Sequence, residues 1–222
     1  VDARRSTEFK QLIRDMNSYQ DSDFEIPGEL NAELREYQKN GFRWLAMLSQ
    51  WGFGGILADD MGLGKTLQVI TLLEMKKEGA LIVCPASLVY NWESEILRFA
   101  PDLTVKVAVG NSRQREEIIE HASKEDILVT SYDLLKRDLD LYKEKAFPYM
   151  VIDEAQYIKN PATQAAKAVK KIQADTRFAL TGTPVENRLS ELWSIFDYLM
   201  PGFLYSYSRF REELEVQIVQ HE

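Results

Sequence analysis

Residues 54–66 read GGILADDMGLGKT. The segment ends in Gly64-Lys65-Thr66, the close of a phosphate-binding loop whose general pattern is G-x-x-x-x-G-K-[ST]. Counting back from Gly64, the first glycine belongs at position 59, and Asp59 stands there instead. The surroundings suit such a loop all the same. GGILA reads as a short buried strand, and Lys65 to Lys76 reads as a helix. Gly62 and Gly64 can take positive φ and turn backbone N–H groups toward an anion. The helix then presents its N-terminus to phosphate. Lys65 would reach the β- and γ-phosphates of ATP, and Thr66 would hold Mg2+. On this stretch alone, a glycine-rich turn before an ordinary helix remains the competing reading.

Downstream of this loop the chain keeps alternating. ALIVCP, VKVAV, DILVTSY, YMVIDE and RFALTGT are nearly continuous apolar runs, and each is followed by a helical segment. The helix in PATQAAKAVKKI is expected to open with proline in its first turn. Upstream, Glu33 to Gln50 has helical spacing at Leu34, Tyr37, Trp44, Leu45 and Leu48, and Ser6 to Tyr19 has a helical rhythm of its own. Apolar strands alternating with helices predict an α/β fold, a mostly parallel sheet covered on both faces. In such sheets ligands bind beyond the carboxyl ends of the strands.

Two more strand ends carry chemistry. YMVIDEAQ ends in Asp153 and Glu154; the first suits a Mg2+ contact and the second suits polarising an attacking water. ALTGTPVEN places Thr181, Gly182 and Thr183 at the same edge, where hydroxyls can bridge the carboxylates to a neighbouring module, although Thr-Gly-Thr-Pro is also good turn chemistry. Each piece is weak alone. In order, they make a chance phosphate loop implausible.

The remaining composition bounds the function. The chain has 222 residues, 45% hydrophobic, with a net charge of −8. That charge argues against holding nucleic acid by bulk positive charge, while leaving room for a local basic face. One cysteine, Cys84, and two separated histidines, His121 and His221, offer no disulfide or zinc cluster, and the N-terminus lacks the apolar core of a signal peptide. Cys84 is read as a small core residue and His121 as a surface one. Trp92 is read as core packing in preference to a base-stacking platform. Lys167, Lys170 and Lys171, and likewise Arg113 and Arg115, are read as solvated helix faces.

The three motifs in this order resemble the first RecA-like motor lobe of superfamily-two helicases, and the finer wording resembles the Swi/Snf family of ATP-dependent DNA translocases. ADDMGLGKT is similar to that family's own loop, in which an acidic residue replaces the first glycine. LREYQKNGFRWL, LIVCPASLVYNWESE, ILVTSYDLL and LTGTPVENRLSELWSIFDYLMPGFL extend the likeness from about Leu34 to Phe210. The resemblance implies a RecA-like P-loop NTPase lobe with ATP and Mg2+ as cofactors. It implies nucleotide contacts from Gln38, which would recognise adenine, and from Asp60, Met61, Gly62, Leu63, Gly64, Lys65 and Thr66. Catalysis would rest on Lys65, Asp153 and Glu154, metal binding on Thr66 and Asp153, and coupling on Gln156, Thr181, Gly182 and Thr183. Sequence-independent contacts to double-stranded DNA would come from Pro85, Ser87, Asn91, Thr130 and Ser131. Gln156, where many eukaryotic members carry histidine, looks more like bacterial or archaeal members, and Asp60 stands where many relatives have glutamate.

The domain reading that follows is a leader over 1–28, the ATP-binding lobe over 29–205, and from 206 the start of a link to a second RecA-like lobe of the full-length chain. The expected compartment is the nucleoid-associated cytoplasm for a prokaryotic protein and the nucleus for a eukaryotic one. Alternatives at this point are an RNA helicase, a restriction-type motor, and a nucleotide-switched interaction module.

Overall fold

The computed structural model describes residues 24–59, 62–182 and 189–212. The helix expected over Ser6 to Tyr19 therefore lies outside the described residues. Among the described residues the chain runs α1 (Glu36–Gln50), β1 (Gly55–Ala58), α2 (Lys65–Lys76), β2 (Ala80–Cys84), α3 (Val89–Phe99), β3 (Val105–Val107), α4 (Ser112–Glu120), β4 (Ile127–Ser131), α5 (Tyr132–Arg137), β5 (Ala146–Ile152), α6 (Gln164–Lys171), β6 (Gln173–Thr181), α7 (Leu189–Leu199) and α8 (Tyr207–Phe210). Short 3-10 turns at Ala86–Leu88, Leu139–Tyr142 and Ala155–Ile158 link them.

The six strands form one sheet in the order β1-β6-β5-β2-β4-β3, and every pairing is parallel. The apolar runs account for this. A strand in mid-sheet meets helices on both faces, so both of its alternating sets must be apolar. In β2 and β4 all ten residues are buried. Ala80, Ile82 and Cys84 of β2 join a core with α1, α2 and α3, built on Phe42, Leu45, Ile70, Leu73 and Ile96. Leu81 and Val83 face the opposite way, into a second core with α5, α6 and α7, built on Leu135, Val169, Ile195 and Tyr198.

Helix ends depart from expectation where local chemistry overrides periodicity. Thr163 caps α6, its hydroxyl accepting from Ala166 N–H at 3.2 Å. Pro161 therefore lies ahead of the cap, not in the first turn. The segment after β4 forms only six residues of α5 before a 3-10 turn. Pro148 sits within β5, before β2 begins its pairing at Tyr149, so the missing N–H falls where only one neighbouring strand is present. The expected leader boundary is crossed by Phe24 and Ile26, which pack against the first core. At the other end Phe210 is buried and the ring of Tyr207 lies 5.1 Å from that of Trp193, so α8 packs on the lobe.

Two charged side chains expected on solvated faces are held in ion pairs instead. Arg115, expected on a solvated face, is 6% exposed and grips Asp138 with two bonds, Nε to Oδ2 at 2.6 Å and Nη2 to Oδ1 at 2.7 Å. Its Nη1 donates to the Gly110 carbonyl. This pair ties α4 to the end of α5 across the second core. Lys170 leaves the expected solvated stripe as well, pairing with Asp197 at 2.8 Å above the Trp193 ring and so fastening α6 to α7. Breaking a buried ion pair strands a charge and costs about 3–5 kcal/mol. Arg115→Met should therefore lower unfolding free energy by about that amount in urea titration, and a loss under about 1 kcal/mol would show that Asp138 finds another partner or water.

Candidate nucleotide-binding site

The register brings the chemistry together. Ala58 pairs with Thr181, Ile152 with both Val83 and Ala179, so the turns after β1, β6, β5 and β2 lie side by side at the carboxyl edge. There a cleft of about 270 Å³ is lined by Gly62, Gly64, Lys65, Thr66, Leu88, Asn91, Trp92, Glu95, Asp153 and Glu154. The phosphate-loop residues and the acidic pair, 88 positions apart in the chain, thus share one wall.

The loop has the geometry its glycines allow. Gly62 and Gly64 take φ of 84° and 73°, and Gly64 caps α2 without a side chain, leaving the first-turn N–H groups for an anion. Lys65 Nζ donates to the Asp59 backbone carbonyl at 2.6 Å. Asp59 also has a side-chain partner, since Gln68 Nε2 donates to its Oδ2 at 3.4 Å. From α1, the buried Gln38 donates to the Leu63 carbonyl at 3.2 Å and accepts from Arg35 N–H at 2.9 Å. Gln38 thereby fastens the loop to the start of α1. A β-carbon on Gly64 would sit 2.3 Å from the Gln38 amide nitrogen, so a larger residue here would push the Gln38 side chain off the loop, besides straining a backbone at φ 73°. Asp60, Met61 and Thr183 lie outside the described residues.

The acidic pair is held from several directions. Asp153 is 8% exposed, and burial, the largest influence, pushes its carboxyl above the usual aspartate range. Two bonds oppose that rise: Trp92 Nε1–H donates to Oδ2 at 3.0 Å, and the Glu154 N–H donates to Oδ1 at 2.8 Å. Glu154 has φ 53° and ψ 58°, a left-handed conformation that costs a non-glycine residue roughly 1–3 kcal/mol. Its Oε2 accepts from Gln156 Nε2 at 2.6 Å, and Gln156 Oε1 accepts from the buried Thr181 hydroxyl at 3.3 Å. A continuous bonded chain thus runs from the carboxylate to the end of β6, with Gly182 half-buried next in line.

These donors fit a hard cation. The Thr66 hydroxyl and the Asp153 carboxylate are oxygen groups lining one cleft, of the type Mg2+ takes when it shares ligation with phosphates and water.

Other residues fall where sequence alone did not place them. Asn91, expected at nucleic acid, lines this cleft and donates to Glu95 at 3.2 Å. Glu95, absent from the expectations, is half-buried, and burial followed by the Asp153 charge raises its carboxyl. The i,i+4 spacing of Asn91 and Glu95 is the signal that puts both on one face of α3. Pro85 is half-buried and Ser87 exposed. Thr130 and Ser131 are buried, with hydroxyls engaged at the Ala108 carbonyl and the Leu134 N–H, so their side chains face inward and not toward a ligand on the surface. Trp92 is buried as expected, yet it is bonded to the metal-type carboxylate as well as packed. Cys84 is core, and burial together with the Asp153 charge pushes its thiol up to about 12, which leaves it inert. His121 is exposed at the end of α4.

The family model for the SNF2-related domain matches residues 37–222. The TATA-binding protein-associated factor MOT1 of Saccharomyces cerevisiae is 43% identical over 206 residues, 85% of this chain and 11% of that protein. An ATP-dependent helicase of Mycoplasma pneumoniae is 47% identical over 188 residues, 82% of this chain and 18% of that protein. Among solved structures, the Sulfolobus solfataricus SWI2/SNF2 ATPase core in complex with double-stranded DNA superposes with a TM-score of 0.80 at 42% identity, covering 90% of this chain and 43% of that one. The chain thus spans less than half the length of each of these relatives.

Asp59 gives the test of the loop. Lys65 uses its backbone carbonyl, which any residue supplies, and its side chain makes one long bond. Replacing it by glycine adds backbone freedom worth roughly 0.5–1 kcal/mol. Asp59→Gly should therefore weaken binding of a fluorescent ATP analogue by about 2- to 5-fold, and Asp59→Asn should stay within about 2-fold. A loss of 50-fold or more in Asp59→Asn would mean that the charge itself has a task.

Proposed function

We propose, on the premise that the chain belongs to the SNF2-related family, that it is the ATP-binding lobe of a motor that translocates on double-stranded DNA and remodels protein–DNA complexes without separating the strands. The observation that carries this is the single cleft holding Lys65, Thr66, Asp153 and Glu154, with Glu154 bonded through Gln156 to Thr181. The DNA part is supported by the likeness to a SWI2/SNF2 core solved on duplex DNA.

In this reading the N–H groups of residues 62–66 and the N-terminus of α2 hold the phosphates, and Lys65 leaves the Asp59 carbonyl to pair with their charge. Thr66 and Asp153 would hold Mg2+, which when bound would neutralise charge on the phosphates. Glu154 orients the attacking water, and its bond to Gln156 makes that orientation sensitive to the position of Thr181. Because phosphoryl transfer is catalysed almost entirely by positioning and charge, cations from outside this lobe matter: an arginine finger is worth roughly 10³–10⁵ in rate, about 4–7 kcal/mol of barrier. A second RecA-like lobe in the remainder of a longer protein would supply it, and would close over the same carboxyl edge. DNA contacts go to the backbone and carry no sequence information.

The 222-residue chain alone should turn ATP over very slowly, with little stimulation by duplex DNA; robust DNA-stimulated turnover would place the complete site within this lobe. In the full-length protein Lys65→Ala should abolish ATPase and translocation while leaving the fold intact. Glu154→Gln should bind ATP within a few-fold of wild type and lose at least about 10²-fold in kcat, the usual range for a positioned proton-transfer group. Triplex displacement by the full-length protein separates the readings. Third-strand release without duplex unwinding is expected, strand separation would indicate a helicase, and ATP-dependent binding without displacement would indicate a switched interaction module.

A further inference from the structure

Asp153 is pinned from three separate elements. Its N–H donates to the Val83 carbonyl of β2 at 2.8 Å. Its own carbonyl accepts from the Tyr132 hydroxyl at 2.8 Å. Its Oδ2 accepts from the Trp92 indole at 3.0 Å. Trp92 lies on α3, which follows β2, and Tyr132 opens α5, which follows β4. Both rings are buried, at 1% and 3% exposure, and Tyr132 stacks face to face on Tyr157, 5.1 Å between centroids and 2° between planes. Two aromatic donors from two separate crossover helices thus converge on one carboxylate residue, one on its side chain and one on its backbone.

Packing alone does not call for this arrangement. A phenylalanine at 132 would cover the same apolar surface, and one at 92 a large part of it. What the two N–H and O–H groups add is direction. The carboxylate torsion is broad and roughly two-fold when nothing holds it. With Oδ2 bonded to the indole and Oδ1 to the Glu154 N–H, that rotation is fixed, and each oxygen keeps a further lone pair for a cation. Burial keeps the Tyr132 phenol protonated, its pKa raised far above the ordinary value, so it stays a donor at all working pH.

We propose that Trp92 and Tyr132 are positioning residues that aim Asp153 at the nucleotide-bound Mg2+, so that the affinity for the cation depends on the placement of α3 and α5. This rests on the reading of the cleft as an ATP site. The turn that leads into α3 carries Pro85 and Ser87, and α5 begins directly after Thr130 and Ser131. Any displacement of those two strand-end turns is therefore transmitted to Asp153 through one hydrogen bond each, to its carboxylate from Trp92 and to its backbone carbonyl from Tyr132.

The test uses the full-length protein, a fluorescent ATP analogue, and two titrations, one with Mg2+ and one with EDTA. The readout is the ratio of the two dissociation constants, with thermal stability measured alongside. Trp92→Phe keeps an aromatic ring and removes the donor. It should cut the Mg2+ enhancement by about 10-fold or more, the worth of one hydrogen bond to a charged group, while the affinity in EDTA stays within about 2-fold. Tyr132→Phe keeps the stacked ring, removes one hydroxyl, and should cut the enhancement by about 3-fold or more; it carries the test if Trp92→Phe fails to fold. An enhancement equal to wild type in folded variants, with or without a lower Tm, would overturn the proposal, because a purely structural role moves stability and not the Mg2+ ratio. A wild-type protein that binds the analogue equally in Mg2+ and EDTA would overturn the Mg2+-ATP reading itself, an outcome distinct from the first.

Discussion

Parallel pairing through Ile152 is the constraint on which the rest depends. This residue meets Val83 on one side and Ala179 on the other. The next residue is Asp153, so the register at Ile152 sets where the acidic pair emerges relative to the turn after β2 and the end of β6. A slip of one residue would turn every side chain of β5 to the other face. Met150 and Ile152 would enter the first core and Val151 the second, and Asp153 would leave the indole of Trp92. The two cores therefore specify the site. Their apolar alternation excludes every other register, and the carboxylates occupy the position left when the strand stops being apolar.

Several of the buried polar residues lie close to this edge. Gln38, Thr130, Ser131, Asp153 and Thr181 are all buried, and each makes a hydrogen bond within the lobe. A buried polar group without a partner costs roughly 1–3 kcal/mol, so each bond holds its neighbour to one placement. The result is a chain of fixed positions that leads from α1 through the phosphate loop, and from α3 through Asp153 and Glu154 to β6. The ion pairs Arg115–Asp138 and Lys170–Asp197 do comparable work away from the cleft, where they clamp the crossover helices whose strand-end turns frame the site.

How much of this was legible beforehand follows the range of the interactions involved. Strands β2, β4 and β5 were readable because burial on both faces forces an uninterrupted apolar run, a property of five to seven consecutive residues. The phosphate loop and the acidic pair were readable because each is a short motif at the end of such a run. The bond from Trp92 to Asp153 spans 61 positions and the ion pair from Arg115 to Asp138 spans 23. No local pattern encodes the partner at that distance. One clue was present for Trp92: a buried indole N–H needs an acceptor, and the charged residues at the sheet edge were the nearest candidates. Thr130 and Ser131 show the same limit from the other side. Hydroxyl residues at a strand end suit ligand contact, but here one bonds back to β3's end and the other caps α5.

The left-handed backbone at Glu154 has an evolutionary consequence. Glycine would relieve roughly 1–3 kcal/mol of strain there and give back roughly 0.5–1 kcal/mol in backbone entropy, together with the bond to Gln156, about 1 kcal/mol. These terms nearly cancel. Folding by itself thus hardly distinguishes glutamate from glycine here, unlike at its buried neighbour Asp153. A lineage or a laboratory selection that rewards only soluble, heat-resistant protein can therefore exchange Glu154 for glycine at little cost in stability, and the lobe it yields keeps its fold while losing the carboxylate from the cleft.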